Sequence, residues 1–488
     1  MNDGKQNWLD GKAHQAMIQN GFEPEFGPDI ERQVADLQSK GGQVVDGEIR
    51  DLRNLLWSSI DNETSRDLDQ IEWAEQLENG DIRVLVGIAD VDAAIKKDSP
   101  IDVHAAKNTV TVYTETEIFP MLPEELSTDL TSLNQDEDRI AIVADMCVKE
   151  NGDVPESTFY QARVRNRAKL DYETVGDWLD GKTGVPGKVA SVDGLKEQIE
   201  LQQKAALRLQ AYRTSKGALQ FESIESSAVV ENGEVKSIRS VELNAARKLI
   251  ENFMVAANVE MAEFIEAHGR ASLRRIVKTP LHWDGISKIA GEFGEHLPNE
   301  PDQPALAAFL DKRRRADPDH FPDLSLSIVK LIGSGEYVVE RPGEDTGGHF
   351  GLAVRDYAHS TAPNRRYSDM VVQRLVKAVI ANTHEPYSAD ELAAIAQHCN
   401  GAEKAARKVE RKMRKIVAAS VMRKHIGENF QAIVTGDTSA GVFARILRPP
   451  VDGRIVRGQD RVRVGDKLEV KLLSANPENG FIDFAVVH

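Results

Sequence analysis

Ser59-Ile60-Asp61-Asn62-Glu63-Thr64-Ser65-Arg66-Asp67-Leu68-Asp69 is the stretch that decides how this chain is read, because it sets three aspartates within nine residues, with Asp67 and Asp69 two apart. Carboxylates this close repel one another, and divalent cations or paired bases relieve the repulsion. Hard oxygen ligands suit magnesium or manganese better than zinc. The plainer alternative is a solvated acidic turn, and by composition alone that is the commoner case. The flanks argue otherwise. Asp61 closes an apolar-rich entry, Leu55-Leu56-Trp57-Ser58-Ser59-Ile60, and an alternating, strand-like run, Ile82-Arg83-Val84-Leu85-Val86-Gly87-Ile88-Ala89-Asp90, follows soon after.

The pattern Asp-x5-Asp-x-Asp resembles the opening of the catalytic domain in the ribonuclease II/R exoribonucleases, and the resemblance continues in order. Gly87-Ile88-Ala89-Asp90-Val91 is similar to the family's strand ending in Asp. Val112-Tyr113, Ile118-Phe119-Pro120-Met121-Leu122-Pro123-Glu124-Glu125-Leu126-Ser127 and Ser132-Leu133-Asn134 resemble its "VY…PMLPE.LS…SLN" signature. Leu249-Ile250-Glu251-Asn252-Phe253-Met254-Val255-Ala256-Ala257-Asn258 is similar to its "LIEE.M..AN" helix. His359-Ser360-Thr361-Ala362-Pro363-Asn364-Arg365-Arg366-Tyr367-Ser368-Asp369 resembles its "HFTSPIRRYPD" element. Blocks in this order across residues 50 to 380 identify the chain as a member of that family.

Composition sets the frame. At 488 residues, 41% hydrophobic and 28% charged, the chain is ordinary for a globular protein and can bury several cores. No apolar run reaches the ~18 residues of a membrane span. Met1-Asn2-Asp3-Gly4-Lys5 has no apolar signal segment, so no membrane association and a cytoplasmic location are expected. Cys147 and Cys399 form no metal or redox motif, and none of the histidines lies in a zinc-binding pattern. The net charge of −17 argues at first against a nucleic-acid partner, but its distribution does not. Residues 401–488 hold 17 Lys+Arg against 10 Asp+Glu, or +7, so residues 1–400 carry −24. A basic C-terminal region able to track phosphates, joined to an acidic body able to hold metal, suits a nuclease.

The expected organisation is an α+β multidomain chain. Residues 1–50 read as a small helical unit. Asp10 would cap a helix through Asn20 that stops at Gly21, and a second helix from Pro28-Asp29 would place Ile30, Val34 and Leu37 on one face before Gly41-Gly42. These helices could form part of a helix-turn-helix unit or a cap packed on the body. The family's usual N-terminal cold-shock barrels have no counterpart in this stretch. Residues 51–426 read as the mixed α/β catalytic domain, strands first and helices later. Its helices run from Gly194 through Tyr212, from Val241 to His268 and from Ala389 to His425. The last carries Lys404, Arg407, Lys408, Arg411, Lys412, Arg414 and Lys415, for which a solvated surface is the commoner explanation. Residues 427–488, with strands at Phe430–Gly436, Gly441–Leu447 and Val464–Leu472, have the layout of a five-stranded OB barrel and resemble an S-one type RNA-binding domain. Phe430 and Phe443 are candidate stacking platforms, with a barrel-core role as the alternative, and Arg445 adds charge.

The resemblance implies the site. Asp61, Asp67 and Asp69 are its expected metal ligands, with Mg2+, or Mn2+, as cofactor. Asp69 falls on the position most tightly tied to catalysis, and Arg365 on the active-site arginine, whose fork suits a phosphate gaining charge. Arg366 is either a second phosphate contact or the ion-pair partner of Asp369. Gln70 stands where the family has a further Asp. Three readings stay open there: a weaker metal site, replacement by Glu72 on the same strand face, or a catalytically weakened, RNA-binding relative. Asn252 similarly replaces a usual Glu, leaving Glu251 as the carboxylate. Tyr113 falls on the aromatic that stacks near the 3′ end and Tyr172 on a second platform, with Phe221 a partner of Tyr113. For each aromatic alone, core burial is the commoner fate. The implied activity is magnesium-dependent, processive 3′-to-5′ hydrolysis of single-stranded RNA to nucleoside 5′-monophosphates by a monomer, with 3′-overhang duplexes as a further substrate.

Overall fold

The computed structural model describes residues 3–43, 49–222, 225–231, 234–241, 243–318, 320–439 and 441–487. Helices α1 (Asp3–Gln19) and α2 (Pro28–Ser39) come first. Asp10 lies inside α1 rather than at its cap, while the left-handed Gly21 (φ +89°) follows its end, as expected. The two helices bury different faces. Leu9, Ala13, Ala16 and Met17 of α1 pack on Ala402, Ala406, Val409 and Met413, whereas Ile30 and Val34 of α2 join the main core. This is a cap packed on the body, not a helix pair packed on itself.

Strands β1 (Arg50–Asp51), β2 (Trp57–Asp61), β3 (Gln70–Gln76) and β4 (Ile82–Ala89) follow, then α3 (Pro100–Asn108), the short pair β5 (Val112–Tyr113) and β6 (Ile118–Phe119), and the long strands β7 (Asp138–Val148) and β8 (Ser157–Asp171). The main sheet runs β1-β8-β2-β3-β4-β7, and β8 also pairs with β7, so the sheet curls back on itself. β8 can do both because it has 15 residues: its first half lies beside β7 and its second half beside β2. The curl matters for the site, because it directs the ends of β2 and β4 and the start of β3 towards one rim.

Helices α4 (Tyr172–Leu179), α5 (Gly187–Ala190) and α6 (Leu195–Ser215) lead to the hairpin β9 (Glu225–Glu231) and β10 (Glu234–Val241), and then to α7 (Ala245–Ala267). α7 starts after Val241 because Asn244 caps it, accepting the N–H of Arg247; Glu242 lies outside the described residues. Beyond β11 (Ser272–Ile276), helices α8 (Trp283–Glu292), α9 (Gln303–Ala316) and α10 (Phe321–Ile332) enclose a small separate core around Trp283, Phe309 and Phe321. Then come β12 (Glu336–Glu340), α11 (Tyr367–Ile380) and the 34-residue α12 (Ala389–Met422), which opens with a capping box between Ser388 and Glu391.

The C-terminal strands β13 (Asn429–Thr438), β14 (Gly441–Leu447), β15 (Pro450–Arg457), β16 (Lys467–Asn476) and β17 (Phe481–Val486) close a barrel in the order β13-β14-β15-β17-β16, the five-stranded layout expected. The fourth strand starts at Lys467 and not Val464, because left-handed Gly465 and the Asp466 carboxylate, which accepts the Arg463 N–H, make a turn there. Among the described residues no helix is long and apolar enough to cross a membrane.

A buried ion network ties α11 to the end of β4. Arg374 donates to Asp92 at 2.6 Å and to Tyr387 at 2.7 Å, and lies 2.8 Å from Asp102, while Lys377 reaches Asp90 and Asp92 at 2.9 Å. Burial opposes charge on Asp92, but Lys377 and Arg374 more than offset it and hold the carboxyl below its usual range. Breaking such a network leaves buried charges unpaired, so Arg374→Ala is expected to destabilise the chain by ~3–5 kcal/mol. Chemical denaturation of the full chain measures this, and a loss under about 1 kcal/mol would show that the network is replaceable.

Candidate active site

The site is assembled where the start of β3 meets the turn before α11. Asp69 precedes β3, with its carbonyl accepting the Ala89 N–H at 2.9 Å, so the ladder with β4 fixes its backbone. The Asp67 segment is pinned from the other side by Ser132-Leu133-Asn134. The Ser132 hydroxyl accepts the Leu68 N–H at 3.0 Å and donates to the Arg66 carbonyl at 2.8 Å, and the Leu133 N–H donates to the Leu68 carbonyl at 3.0 Å. A loop carrying mutually repelling carboxylates is thereby held by neutral hydrogen bonds. At the end of β2, Asp61 Oδ1 accepts from its neighbour's N–H at 2.6 Å and from the Ser65 hydroxyl at 2.9 Å.

Asp69 is buried, and its Oδ1 accepts the backbone N–H of Asn364 at 2.9 Å. Arg365 Nε lies 3.2 Å from the other oxygen, Oδ2, yet does not aim a hydrogen bond at it, so Oδ2 has no donor. Whereas Asp69 is buried, the Arg365 side chain is 44% exposed. Its loop is anchored by Thr111, whose N–H donates to the Arg365 carbonyl at 3.0 Å, and by the Tyr367 N–H bonded to the Thr109 carbonyl at 2.8 Å. The segment leading into Tyr113 and the one carrying Arg365 are thus locked together.

Electrostatics follow from this geometry. Burial raises Asp69 to about 7, partly countered by Arg365 and reinforced by Asp67. Burial raises Asp67 too, against the pull of Arg365. Burial opposes charge on Arg365, but the surrounding Asp69, Tyr113, Asp61 and Asp67 outweigh it and keep the guanidinium firmly charged. Arg365 offsets only part of the charge of Asp61, Asp67 and Asp69, and the remaining deficit is what a divalent ion would fill.

The donor set fits such an ion: oxygen-only, mutually repelling, with the orphaned Asp69 Oδ2 at its buried end. The acidic groups close enough to form a ready-made cage among the described residues are elsewhere. Glu266, Glu340 and Asp356 gather around the buried Arg274 guanidinium, which already neutralises part of their charge. Asp61, Asp67 and Asp69 are not among such close-set groups, and a wider spacing leaves room for other oxygens and water around a magnesium or manganese ion.

Gln70 is buried at the start of β3, directly after Asp69. Glu72 shares its strand face but is wholly enclosed. Neither of its carboxyl oxygens has a hydrogen-bond partner, and burial followed by the charge of Asp61 drives its pKa well upward. Both effects favour its protonated form in the metal-free fold.

Other expected residues divide into two groups. Tyr113 is 41% exposed and its hydroxyl donates to Asp67 at 3.3 Å, while its N–H donates to Glu410 at 3.2 Å. Tyr172 opens α4 beside Asp61, with the Arg247 guanidinium 4.4 Å from its ring centre. Gly176 makes this possible, since a Cβ there would come within 2.1 Å of Asn244, whose amide donates to the Tyr172 carbonyl. Phe221 is not brought to Tyr113. It packs on the α8–α10 core and, with Glu251, Arg213, Lys248 and Arg314, lines a separate cleft. Arg366 is engaged by Asp369 through Nε at 2.9 Å and Nη2 at 2.7 Å, so it is the ion-pair partner, not a free phosphate contact. In the barrel, Phe430 packs partly into the core, whereas Phe443 and Arg445 point outward between buried Val442, Ala444 and Ile446. Arg445 is 3.1 Å from Asp452.

The sequence reading missed Asn364, Ser132 and Asn258 as positioning residues. Asn258 Oδ1 accepts both the N–H and hydroxyl of Ser360, at 2.8 and 2.7 Å, and so fixes the turn that leads to Arg365. All three stand inside quoted motif blocks, which is the signal that could have found them.

Comparison with known proteins agrees with this architecture. Residues 49–382 match the RNB domain and residues 428–487 match the RNase II-type exonuclease C-terminal S1 domain. Ribonuclease R of Vibrio cholerae serotype O1 is 30% identical over 531 residues, covering 99% of this chain and 62% of that protein. The chain thus spans about three fifths of the length of the curated relatives it matches. Mycoplasma genitalium RNase R in complex with ribose methylated single-stranded RNA superposes with a TM-score of 0.86 at 22% identity, covering 97% of this chain and 77% of that one. Yeast Ssd1, described as a pseudonuclease, shares the fold with a TM-score of 0.71 at 17% identity over 95% of this chain and 57% of its own.

The enclosed Glu72 gives a pH test. Its pKa in the folded chain is raised above the ordinary 4.5, so above that pH the folded state retains a proton the unfolded state has lost, and stability falls as pH rises. The slope approaches ~1.4 kcal/mol per pH unit until the folded pKa is reached. Glu72→Gln removes the effect, so its stability advantage over the parent should widen from pH 5 to pH 8 in unfolding titrations of metal-free protein. An advantage that does not change with pH would mean that Glu72 is charged in the fold.

Proposed function

Because the chain belongs to the RNB-domain family of RNase II-type exonucleases, we propose that it is a divalent-metal-dependent exoribonuclease. It would remove nucleoside 5′-monophosphates one at a time from the 3′ end of single-stranded RNA. The observation that carries this reading is the meeting of Asp69 and Arg365: a buried carboxylate with one orphaned oxygen, beside an anchored and partly exposed guanidinium. Together they present a cation-seeking group and a phosphate-seeking group to the same small volume.

Asp61, Asp67 and Asp69 would hold Mg2+ or Mn2+, which when bound supplies charge neutralisation at the scissile phosphate and lowers the pKa of attacking water. The protein's own part is positional. Asp69 restrains Arg365 on one side, so the free face of the fork can donate to a phosphate oxygen as negative charge grows in the transition state. Tyr113, exposed beside Asp67, offers a ring for the terminal base, and stacking of this kind tolerates any sequence at ~1–3 kcal/mol per base. Tyr172, braced by Arg247, is a second platform on the Asp61 side. The barrel, through outward Phe443, would grip RNA farther from the cleavage point. Single-stranded RNA is the proposed substrate, and a duplex with a 3′ overhang would enter by its tail.

A second reading, a catalytically weakened RNA-binding relative, rests on Gln70, a neutral amide where the family motif has a carboxylate. Thin-layer separation of products from end-labelled RNA distinguishes the two: mononucleotides support the exoribonuclease and absence of product supports the relative. Internal fragments would point to an endonuclease. Asp69→Asn is expected to abolish hydrolysis, by a factor of about 1,000 or more, while RNA binding stays nearly intact, since volume is conserved and only charge is lost. Activity within a few-fold of the parent would remove Asp69 from the chemistry. Gln70→Asp should lower the magnesium concentration for half-maximal rate. An unchanged requirement would show that the amide at Gln70 does not limit the site.

A further inference from the structure

Seven cations crowd residues 404–415 of α12, and the structure sorts them into two sets. Arg407 pairs with Glu403 at 2.8 Å, Arg414 with Glu115 at 3.3 Å, and Lys412 reaches Gln19 at 3.3 Å. Lys404, Lys408, Arg411 and Lys415 are exposed, and among the described residues no acidic side chain pairs with any of them. Their spacing places them on one stripe of the helix, roughly 16 Å long at 1.5 Å per residue.

A solvated helix face normally intersperses acids three or four residues from its bases. Here the opposite holds. Lys404 has Arg407 and Lys408 at those offsets, Lys408 has Arg411 and Lys412, and Arg411 has Arg414 and Lys415. The helix's own acids in this stretch, Glu403 and Glu410, serve Arg275, Arg407 and the Tyr113 backbone. A self-repelling row without internal counter-charge is stabilised by an external polyanion.

The end of the row carries a second feature. The turn before β17 presses its backbone on α12 so closely that a Cβ on Gly480 would come within 2.8 Å of Lys415 Cβ. The next residue, Phe481, is 62% exposed, although Ile482 and Phe484 on the same strand are buried. Four unpaired cations followed by an exposed aromatic ring combine backbone tracking with base stacking. That combination favours nucleic acid over an acidic protein segment.

We propose that this face of α12, with Phe481, is a second RNA-binding surface, which holds about three consecutive phosphates of a single strand outside the catalytic cleft. The inference rests on RNA being the chain's ligand, but not on hydrolysis. On it, an RNA of roughly 20 nucleotides occupies both the cleft and the stripe, whereas one of about five occupies the cleft alone.

The test uses the full chain carrying Asp69→Asn, so that RNA persists, with binding followed by fluorescence anisotropy across a salt series. Replacing Lys404, Lys408, Arg411 and Lys415 together by Gln should weaken binding of the long RNA about ten-fold or more at low salt. It should also reduce the slope of log affinity against log salt by about 2, at ~0.7 per phosphate on a single strand. Binding of the short RNA should be unchanged, as should its hydrolysis by a Gln-substituted chain that keeps Asp69. Exchanging Lys for Arg and Arg for Lys at the same positions should preserve the slope, and Phe481→Ser should lower affinity a few-fold without altering it. Unchanged long-RNA affinity and slope in a quadruple variant with parental thermal unfolding would overturn the proposal. So would loss of binding to poly-glutamate alone, which would assign the stripe to an acidic protein. A chain that hydrolyses RNA with an unchanged slope keeps its proposed function and loses this surface; one that binds through the stripe without hydrolysing does the reverse.

Discussion

The contact between Asp69 and the turn at Asn364-Arg365 joins segments 295 residues apart in sequence, and the rest of the site depends on it. Asp69 is buried, so its charge is disfavoured unless the fold supplies compensation. Compensation comes as one backbone N–H and one guanidinium, and neither exists until α11 has docked. The sheet rim, the docked helix and the carboxylate cluster are therefore one cooperative arrangement, not a scaffold with a site added.

The packing around that contact shows what the docking requires. Arg374 and Lys377 on α11 meet Asp90, Asp92 and Asp102 just past β4, so the helix that carries the Arg365 turn is fixed to the strand that aligns Asp69. These pairs are buried, where removing one partner does far more harm than a surface pair would suggest. Asn258 and Ser132 serve the same end with neutral groups. A cluster of like charges tolerates little positional slack, and the hydrogen bonds that limit that slack come from uncharged residues that add nothing to the repulsion.

Two places in the fold carry a charge imbalance with physical consequences. Gln70 adds no charge next to Asp69, and Glu72, the nearest acid on the same strand, is enclosed without a hydrogen-bond partner, where burial favours its protonated form. The cationic rows of α12 show the reverse imbalance, with positive charge in excess where the acids of the helix are already engaged. The acidic total of the chain conceals both. Net charge described the average surface, while the local excesses and deficits decide what each surface attracts.

Much was legible in the sequence because it depends on local periodicity and on motif order. The alternation of Ile82–Ala89, the Gly signals at helix ends and the repeated short strands after Gly427 became the elements expected, with boundaries shifted where caps and turns intervened, as at Asn244 and Gly465. The motif blocks located Asp61, Asp67, Asp69 and Arg365. The tertiary structure alone decided which groups face one another. It separated Phe221 from Tyr113, gave Arg366 to Asp369, turned Phe430 towards the barrel core and divided the basic residues of α12 into paired and unpaired sets. The reason is that periodicity fixes the face on which a side chain stands, whereas its partner is set by the docking of segments hundreds of residues away, and for a charged group the partner determines its chemistry.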